Sequence, residues 1–204
     1  MGLYSVAKAL VKVFNKLVFR VRVQGKASLP SGPVVLCPNH ISYMDPLLVA
    51  AAIDRPITAI AKESLFHKPF VGWFLKKLQI IPVNRNGSDF AAVRVALAAL
   101  KEGKVLAIFP QGTRVPDVAL NDELVKGGAA MMALKSGAQV VPVSITTKNN
   151  RIRPFRKVTL SFGDPFTVDQ LFDGQHDKDL VWLSKQIFAR VIGLDRQARE
   201  GGKR

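Results

Sequence analysis

The apolar positions of this chain change period along its length, and those changes divide it into elements. Over residues 3–19, Leu3, Val6, Leu10, Val13, Phe14 and Leu17 recur at helical spacing. Lys8, Lys12, Lys16 and Arg20 form a basic row at every fourth position of the same stretch. An amphipathic helix of this kind can lie in a membrane interface with its cations near lipid phosphates, or pack on its own domain; the pattern leaves both open. From Val21 onward, short apolar runs alternate with helix-like segments. Pro33–Cys37 predicts a buried strand, Pro46–Ile53 a helix with Asp45 as its N-cap, Ile57–Ala61 a strand, Pro69–Leu78 a helix and Ile80–Val83 a strand. Ser88 predicts the cap of a helix to about Lys101, with Phe90, Val93, Leu97 and Leu100 on its inner face and Gly103 as its stop.

The second half repeats the alternation. Val105–Phe109 predicts a buried strand, Gly128–Ser136 a helix ended by Gly137, and Val140–Ile145 and Val158–Phe162 two more strands. Leu180, Leu183, Ile187 and Val191 mark a last amphipathic helix, and the basic stretch 196–204 reads as a loose tail. This order predicts an α/β fold: a mixed, mostly parallel sheet flanked by helices, with the amphipathic helix of residues 1–20 ahead of a domain over 21–195. Ligand sites in such folds gather at strand ends, so the loops after Cys37, Val83 and Phe109 are where chemistry is expected.

Composition narrows the partners. Thirty Lys and Arg against fifteen Asp and Glu leave a net charge of +15, which points to nucleic acid, an acidic membrane surface or a phosphorylated substrate. Aromatic residues make up 8% of the chain and do not interleave with a basic stripe, and no nucleic-acid-binding signature is present, so nucleic acid is not expected, although the charge alone also fits a non-enzymatic basic protein that binds acidic membrane or nucleic acid. The single cysteine, Cys37, excludes an intrachain disulfide. His40, His67 and His176 show no metal-ligand spacing, and neither a metal nor another cofactor is expected. No apolar window is long enough for a transmembrane helix, and Lys8, Lys12 and Lys16 interrupt any signal-peptide core.

The three loops carry suggestive residues. In the first, His40 follows a buried strand and Asp45 stands five residues later at a helix start. A turn between them can bring the carboxylate to the imidazole, fixing its tautomer and stabilising the imidazolium when His40 takes a proton. A His–Asp pair without a serine suits a reaction whose substrate supplies the hydroxyl. Singly, Asp45-Pro46 is also an ordinary helix start. The second and third loops, Ile80–Arg85 and Phe109–Arg114, each end in an arginine, whose rigid fork of donors matches a phosphate.

Asn39–Asp45 matches the N-H-x4-D motif of the glycerolipid acyltransferases, and Phe109–Arg114 resembles their F-P-E-G-T-R motif. Pro82–Arg85 looks like their second, arginine-bearing motif, Val141-Pro142-Val143 like their fourth, and Lys126-Gly127 fits the usual neighbourhood before a helix. All occur in family order, and the pattern is most similar to bacterial 1-acylglycerol-3-phosphate acyltransferases. The resemblance implies direct transfer of a fatty acyl chain from an acyl-carrier-protein or coenzyme A thioester to a lysophospholipid at the cytoplasmic face of a membrane, by a peripheral enzyme. It implies that His40 is the general base and Asp45 its orienting acid. It places Asn39, Arg85, Gln111, Gly112, Thr113 and Arg114 around the substrate, and Pro142 in the wall of the acyl site. Two positions depart from the pattern: Gln111 replaces glutamate and Val115 replaces serine, which leaves the lysolipid, or glycerol 3-phosphate, open as acceptor. Cys37 offers an acyl-enzyme route as an alternative, against its ordinary use as a small buried hydrophobe.

Overall fold

In the computed structural model the described residues are 17–25, 29–77, 80–83 and 90–202. The helix expected over 3–19 lies outside them except for its last residues, and Ser88 and Arg85 lie outside them too. Strands β1 (Arg20–Gln24), β2 (Val34–Pro38), β3 (Ile57–Lys62), β4 (Ile81–Val83), β5 (Val105–Ala107), β6 (Gln139–Thr146) and β7 (Lys157–Phe162) build one sheet. Its order is β1-β7-β6-β2-β5-β3-β4. Every neighbouring pair is parallel except β6 with β7. Among the described residues five α-helices flank it: α1 (Asp45–Ala52), α2 (Pro69–Lys77), α3 (Phe90–Lys101), α4 (Gly128–Ser136) and α5 (Leu180–Glu200). The expected mixed, mostly parallel α/β sheet is what forms.

The apolar run of β2 explains its central place. A strand buried on both faces needs hydrophobes at every position rather than at alternate ones. Val34 and Leu36 pack with Leu48, Val49 and Ile53 of the α1 side. Val35 and Cys37 pack on the other face with Leu106, Ala96, Leu100, Ala130, Leu183 and Ile187, from β5 and helices α3, α4 and α5. Alanines make up most of the buried faces of α3 and α4, which lets these helices approach the sheet closely. Gly127 serves the same end, since a Cβ there would stand 2.9 Å from Leu180 Cβ at the start of α5.

Four local expectations are corrected. Phe90, the first residue of α3, is 79% exposed. Leu100, Val93 and Leu97 face the core as expected, with Ala92, Ala96 and Ala99 buried beside them. Strand β5 ends at Ala107; the Ile108 N–H still donates to Leu36 O at 2.8 Å, but the chain then turns into the loop at Phe109. Met44, not Asp45, stands at the N-cap of α1, and Asp45 is the helix's first residue with its side chain turned elsewhere. The tail expected to be loose from Arg196 is helical as far as Glu200. Asp195 holds that end: Oδ1 accepts from Thr146 Oγ1 at 2.7 Å and Oδ2 from Arg199 Nε at 2.7 Å. Arg199 donates further to Thr147 O and to Asn150 Oδ1.

Topology decides what lies at each end of the sheet. Strands β6, β2, β5, β3 and β4 run the same way, so Pro38, Lys62, Val83, Ala107 and Thr146 end at one edge. Strands β7 and β1 run the opposite way, and Thr146 stands opposite Thr159 while Arg20 stands opposite Lys157. The beginnings of β1 and β7 therefore share that edge. Leu36 is fully buried at the centre of this arrangement. Leu36→Ala should lower stability by about 3 kcal/mol, within the usual range for a buried leucine truncated without collapse, seen as an earlier urea midpoint at unchanged slope.

Candidate active site

The chain leaves β2 at Pro38 and must turn sharply to enter α1. The turn is organised around one carboxylate oxygen. Asp45 Oδ2 lies 2.7 Å from His40 Nδ1 and accepts the backbone N–H groups of Ile41 and Ser42, each at 2.7 Å. Asp45 is fully buried, whereas the His40 side chain keeps 15% of its surface exposed. The carboxylate therefore fixes the proton of a neutral imidazole on Nδ1, and Nε2 is left as the acceptor. The Phe109 ring packs on the imidazole, with centroids 4.2 Å apart and planes tilted by 31°.

The loop after β5 grips the same histidine through its backbone. Gln111 Oε1 accepts the His40 N–H at 2.8 Å, and the Val115 N–H donates to His40 O at 2.7 Å. Gln111 is only 2% exposed, so this glutamine supports the histidine from within. The Gly112 N–H closes a turn onto Phe109 O at 2.9 Å, with Gly112 at φ 66. That left-handed angle favours glycine, and a Cβ there would lie 3.3 Å from Lys126 Cδ. Thr113 and Arg114 are exposed at the rim. The Arg114 guanidinium stacks 3.5 Å above the Tyr43 ring, which belongs to the His–Asp loop.

Comparison with known proteins decides what this constellation belongs to. The family described as Acyltransferase matches residues 20–146. The 1-acyl-sn-glycerol-3-phosphate acyltransferase of Bacillus subtilis is 31% identical over 205 aligned positions, covering 97% of this chain and 96% of its own. That of Borreliella burgdorferi is 33% identical, over 72% of this chain and 60% of its own. The crystal structure of the 1-acyl-sn-glycerophosphate acyltransferase PlsC from Thermotoga maritima superposes with a TM-score of 0.75 at 28% identity, covering 99% of this chain and 80% of that one. The chain belongs to the PlsC-like 1-acyl-sn-glycerol-3-phosphate acyltransferase family. It is an acyltransferase, and family likeness gives it an acyl donor and a lysophospholipid-type acceptor as partners.

The remaining motif residues of this acyltransferase take several roles. Asn39 is fully buried and both ends of its amide bond to β6: Nδ2 donates to Ile145 O at 3.1 Å, and Oδ1 accepts the Ile145 N–H at 2.6 Å. These two bonds fasten the end of β2 to its neighbour. Pro142 is buried opposite Cys37 and accepts the Gly163 N–H at 2.9 Å. Its missing N–H falls on the same side of β6, beyond the last β7 pair at Val143. Arg85 lies outside the described residues, though β4 ends at the His40 edge with Val83. Lys126 was read only as neighbourhood, yet its side chain crosses Gly112 and its N–H donates to Pro110 O at 2.9 Å. A lone lysine far along the chain gives no signal of this in sequence.

Cys37 packs under α3, α4 and α5, and burial raises its thiol well above the usual range. That environment suits the core and not an acyl-enzyme. A second His–Asp contact shows why spacing alone is a weak guide. His176 Nδ1 and Asp173 Oδ2 are 2.8 Å apart, and the bonds from His176 hold the Asp173 carboxyl down at about 2. Asp173 also accepts the Gln175 and His176 N–H groups of its loop, but this pair is open to solvent and His176 stacks on Trp182, so it lacks the burial of Asp45. Asn39→Leu keeps the volume but strands the Ile145 peptide groups in the core. It should destabilise the protein by about 2–3 kcal/mol, and a urea midpoint equal to wild type would remove the clamp from this account.

Proposed function

We propose that this acyltransferase moves a fatty acyl chain from an acyl-carrier-protein or coenzyme A thioester to the sn-2 hydroxyl of lysophosphatidic acid, giving phosphatidic acid. The observation that carries the proposal is the 2.7 Å contact between His40 Nδ1 and a buried Asp45. With Nδ1 held there, His40 Nε2 takes the acceptor's hydroxyl proton as its oxygen attacks the thioester carbonyl. The tetrahedral intermediate collapses with loss of the C–S bond, and the imidazolium returns the proton to the leaving thiolate. Asp45 stabilises the imidazolium in between. The Gly112 N–H is occupied in its own turn, so it is not the oxyanion donor; the Thr113 N–H, which has no protein partner among the described residues, is assigned that task.

Arg114, over Tyr43 of the His40 loop, and Lys126, across Gly112, supply the cations, and Arg85 joins them on the strength of its motif, together binding the acceptor's phosphate. Among the described residues no helix is long and apolar enough to cross a membrane. A peripheral position at the cytoplasmic face, aided by the basic amphipathic pattern of residues 3–19, matches a substrate that resides in lipid. Gln111 in place of the family's glutamate keeps glycerol 3-phosphate or another lysolipid as the second reading of the acceptor. A panel of acceptors with one thioester separates them, with lysophosphatidate expected to be preferred.

Thiol release measures the roles. His40→Ala should lower kcat/KM for lysophosphatidate by about a thousandfold with the fold intact, and near-wild-type turnover would reject His40 as the base. Arg114→Ala should raise the acceptor KM roughly tenfold with a smaller change in kcat. Cys37→Ala should keep wild-type turnover, and its loss with the protein still folded would restore the acyl-enzyme route.

A further inference from the structure

The loop between β6 and β7 has no part in the site described above, yet the topology sets it on the same edge as His40. It contains a residue that the fold itself does not want. Arg153, Pro154, Phe155 and Arg156 form a tight turn closed by the Arg156 N–H on Arg153 O at 3.3 Å. Pro154 occupies the second position and Phe155 the third, at φ 61. Glycine or asparagine ordinarily takes that place, because a bulky L side chain is strained there. Phe155 is nevertheless 69% exposed. Neither core packing nor backbone geometry accounts for its ring.

The surroundings supply the reason. The Phe155 N–H donates to Val18 O at 2.6 Å, which ties the turn to the segment carrying Leu17, itself 71% exposed. Arg20, Arg153, Arg156 and Lys157 are exposed around these two apolar side chains, and Arg20 and Lys157 stand opposite each other on β1 and β7. No Asp or Glu occurs between Thr147 and Phe162. Apolar side chains ringed by cations are what an anionic lipid surface receives: the rings and branched chains enter the headgroup boundary while the cations meet phosphates. An acidic protein would match the cations but gives no use to an exposed ring held at a strained turn.

We infer that the Arg153–Arg156 turn, with Phe155 at its tip and Leu17 beside it, is a membrane-docking wedge that seats the His40 edge of the sheet on an anionic bilayer. Its purpose rests on the reading of the reaction given above, since the acceptor resides in that bilayer. Its existence as a lipid-binding surface does not. Leu17 also belongs to the amphipathic pattern over residues 3–19, and the turn adds Phe155, Arg153 and Arg156 to what that pattern offers a membrane.

The test is flotation of the full chain with vesicles, without substrate, comparing phosphatidylglycerol-containing membranes with pure phosphatidylcholine. Phe155→Gly removes the ring and also relieves the left-handed strain, so the fold should be kept. This variant should bind anionic vesicles roughly tenfold more weakly than wild type. The double variant Arg153→Glu, Arg156→Glu should bind at least about thirtyfold more weakly, because each cation near the surface matters. Both should retain thiol release on a dispersed short-chain lysophosphatidate. Wild-type flotation by both variants would overturn the wedge. So would unchanged flotation with a raised KM for an acyl-carrier-protein donor, which would assign the loop to an acidic protein. Because no substrate is present, an inactive enzyme that floats as expected leaves the wedge standing, and an active one that ignores both substitutions removes the wedge alone.

Discussion

One oxygen atom organises the active end of this protein. Asp45 Oδ2 receives the imidazole of His40 and the N–H groups of Ile41 and Ser42, all at 2.7 Å. A carboxylate cannot be buried without such donors, and a β-strand cannot turn into a helix this quickly without something to gather its freed N–H groups. Each requirement answers the other. The acid also opens α1, where the helix's positive end favours a negative charge. Strand end, turn, helix start and reactive ring are thus one unit, and none can be displaced without the others.

The loop after β5 completes that unit by holding the histidine's peptide groups rather than its ring. Gln111 and Val115 take the His40 N–H and C=O respectively. This explains how the chain tolerates glutamine where relatives of its pattern carry glutamate. The bond to the His40 N–H needs an acceptor oxygen, which both side chains have, and does not need a formal charge. Farther out, Arg114 leans on Tyr43 of the first loop, so the two motifs also meet at their exposed ends. Arg114 and Lys126 at this rim keep their charge open to solvent.

What was legible in the sequence follows from the range of the interactions involved. The apolar runs of β2 and β6 and the pairing of His40 with Asp45 are short-range patterns, and they could be read directly. The job of Asn39 could not, because its partner Ile145 lies 106 residues away. The same holds for the Gln111 bond to His40, 71 residues distant, and for the Lys126 side chain across Gly112. Helix α3 misled only at Phe90, its first residue, where the helical period carries a large side chain past the edge of the packed face. The end of α5 looked loose by composition, yet Asp195 and Arg199 tie it to Thr146 and Asn150 through side-chain bonds that no local pattern announces. The expected helix before Leu17 and the role of Arg85 fall outside the described residues.

Cys37 carries a consequence of its own. It is the protein's sole thiol, and it sits fully enclosed on the central strand, between β6 and β5. Thiol reagents therefore meet no accessible cysteine while the core over it is intact. Fraying at the last turn of α5 leaves it hidden, since a reagent must wait for the helices over it to lift or the middle of the sheet to part. The chain contains a built-in gauge of global unfolding, silent to partial motions at its edges.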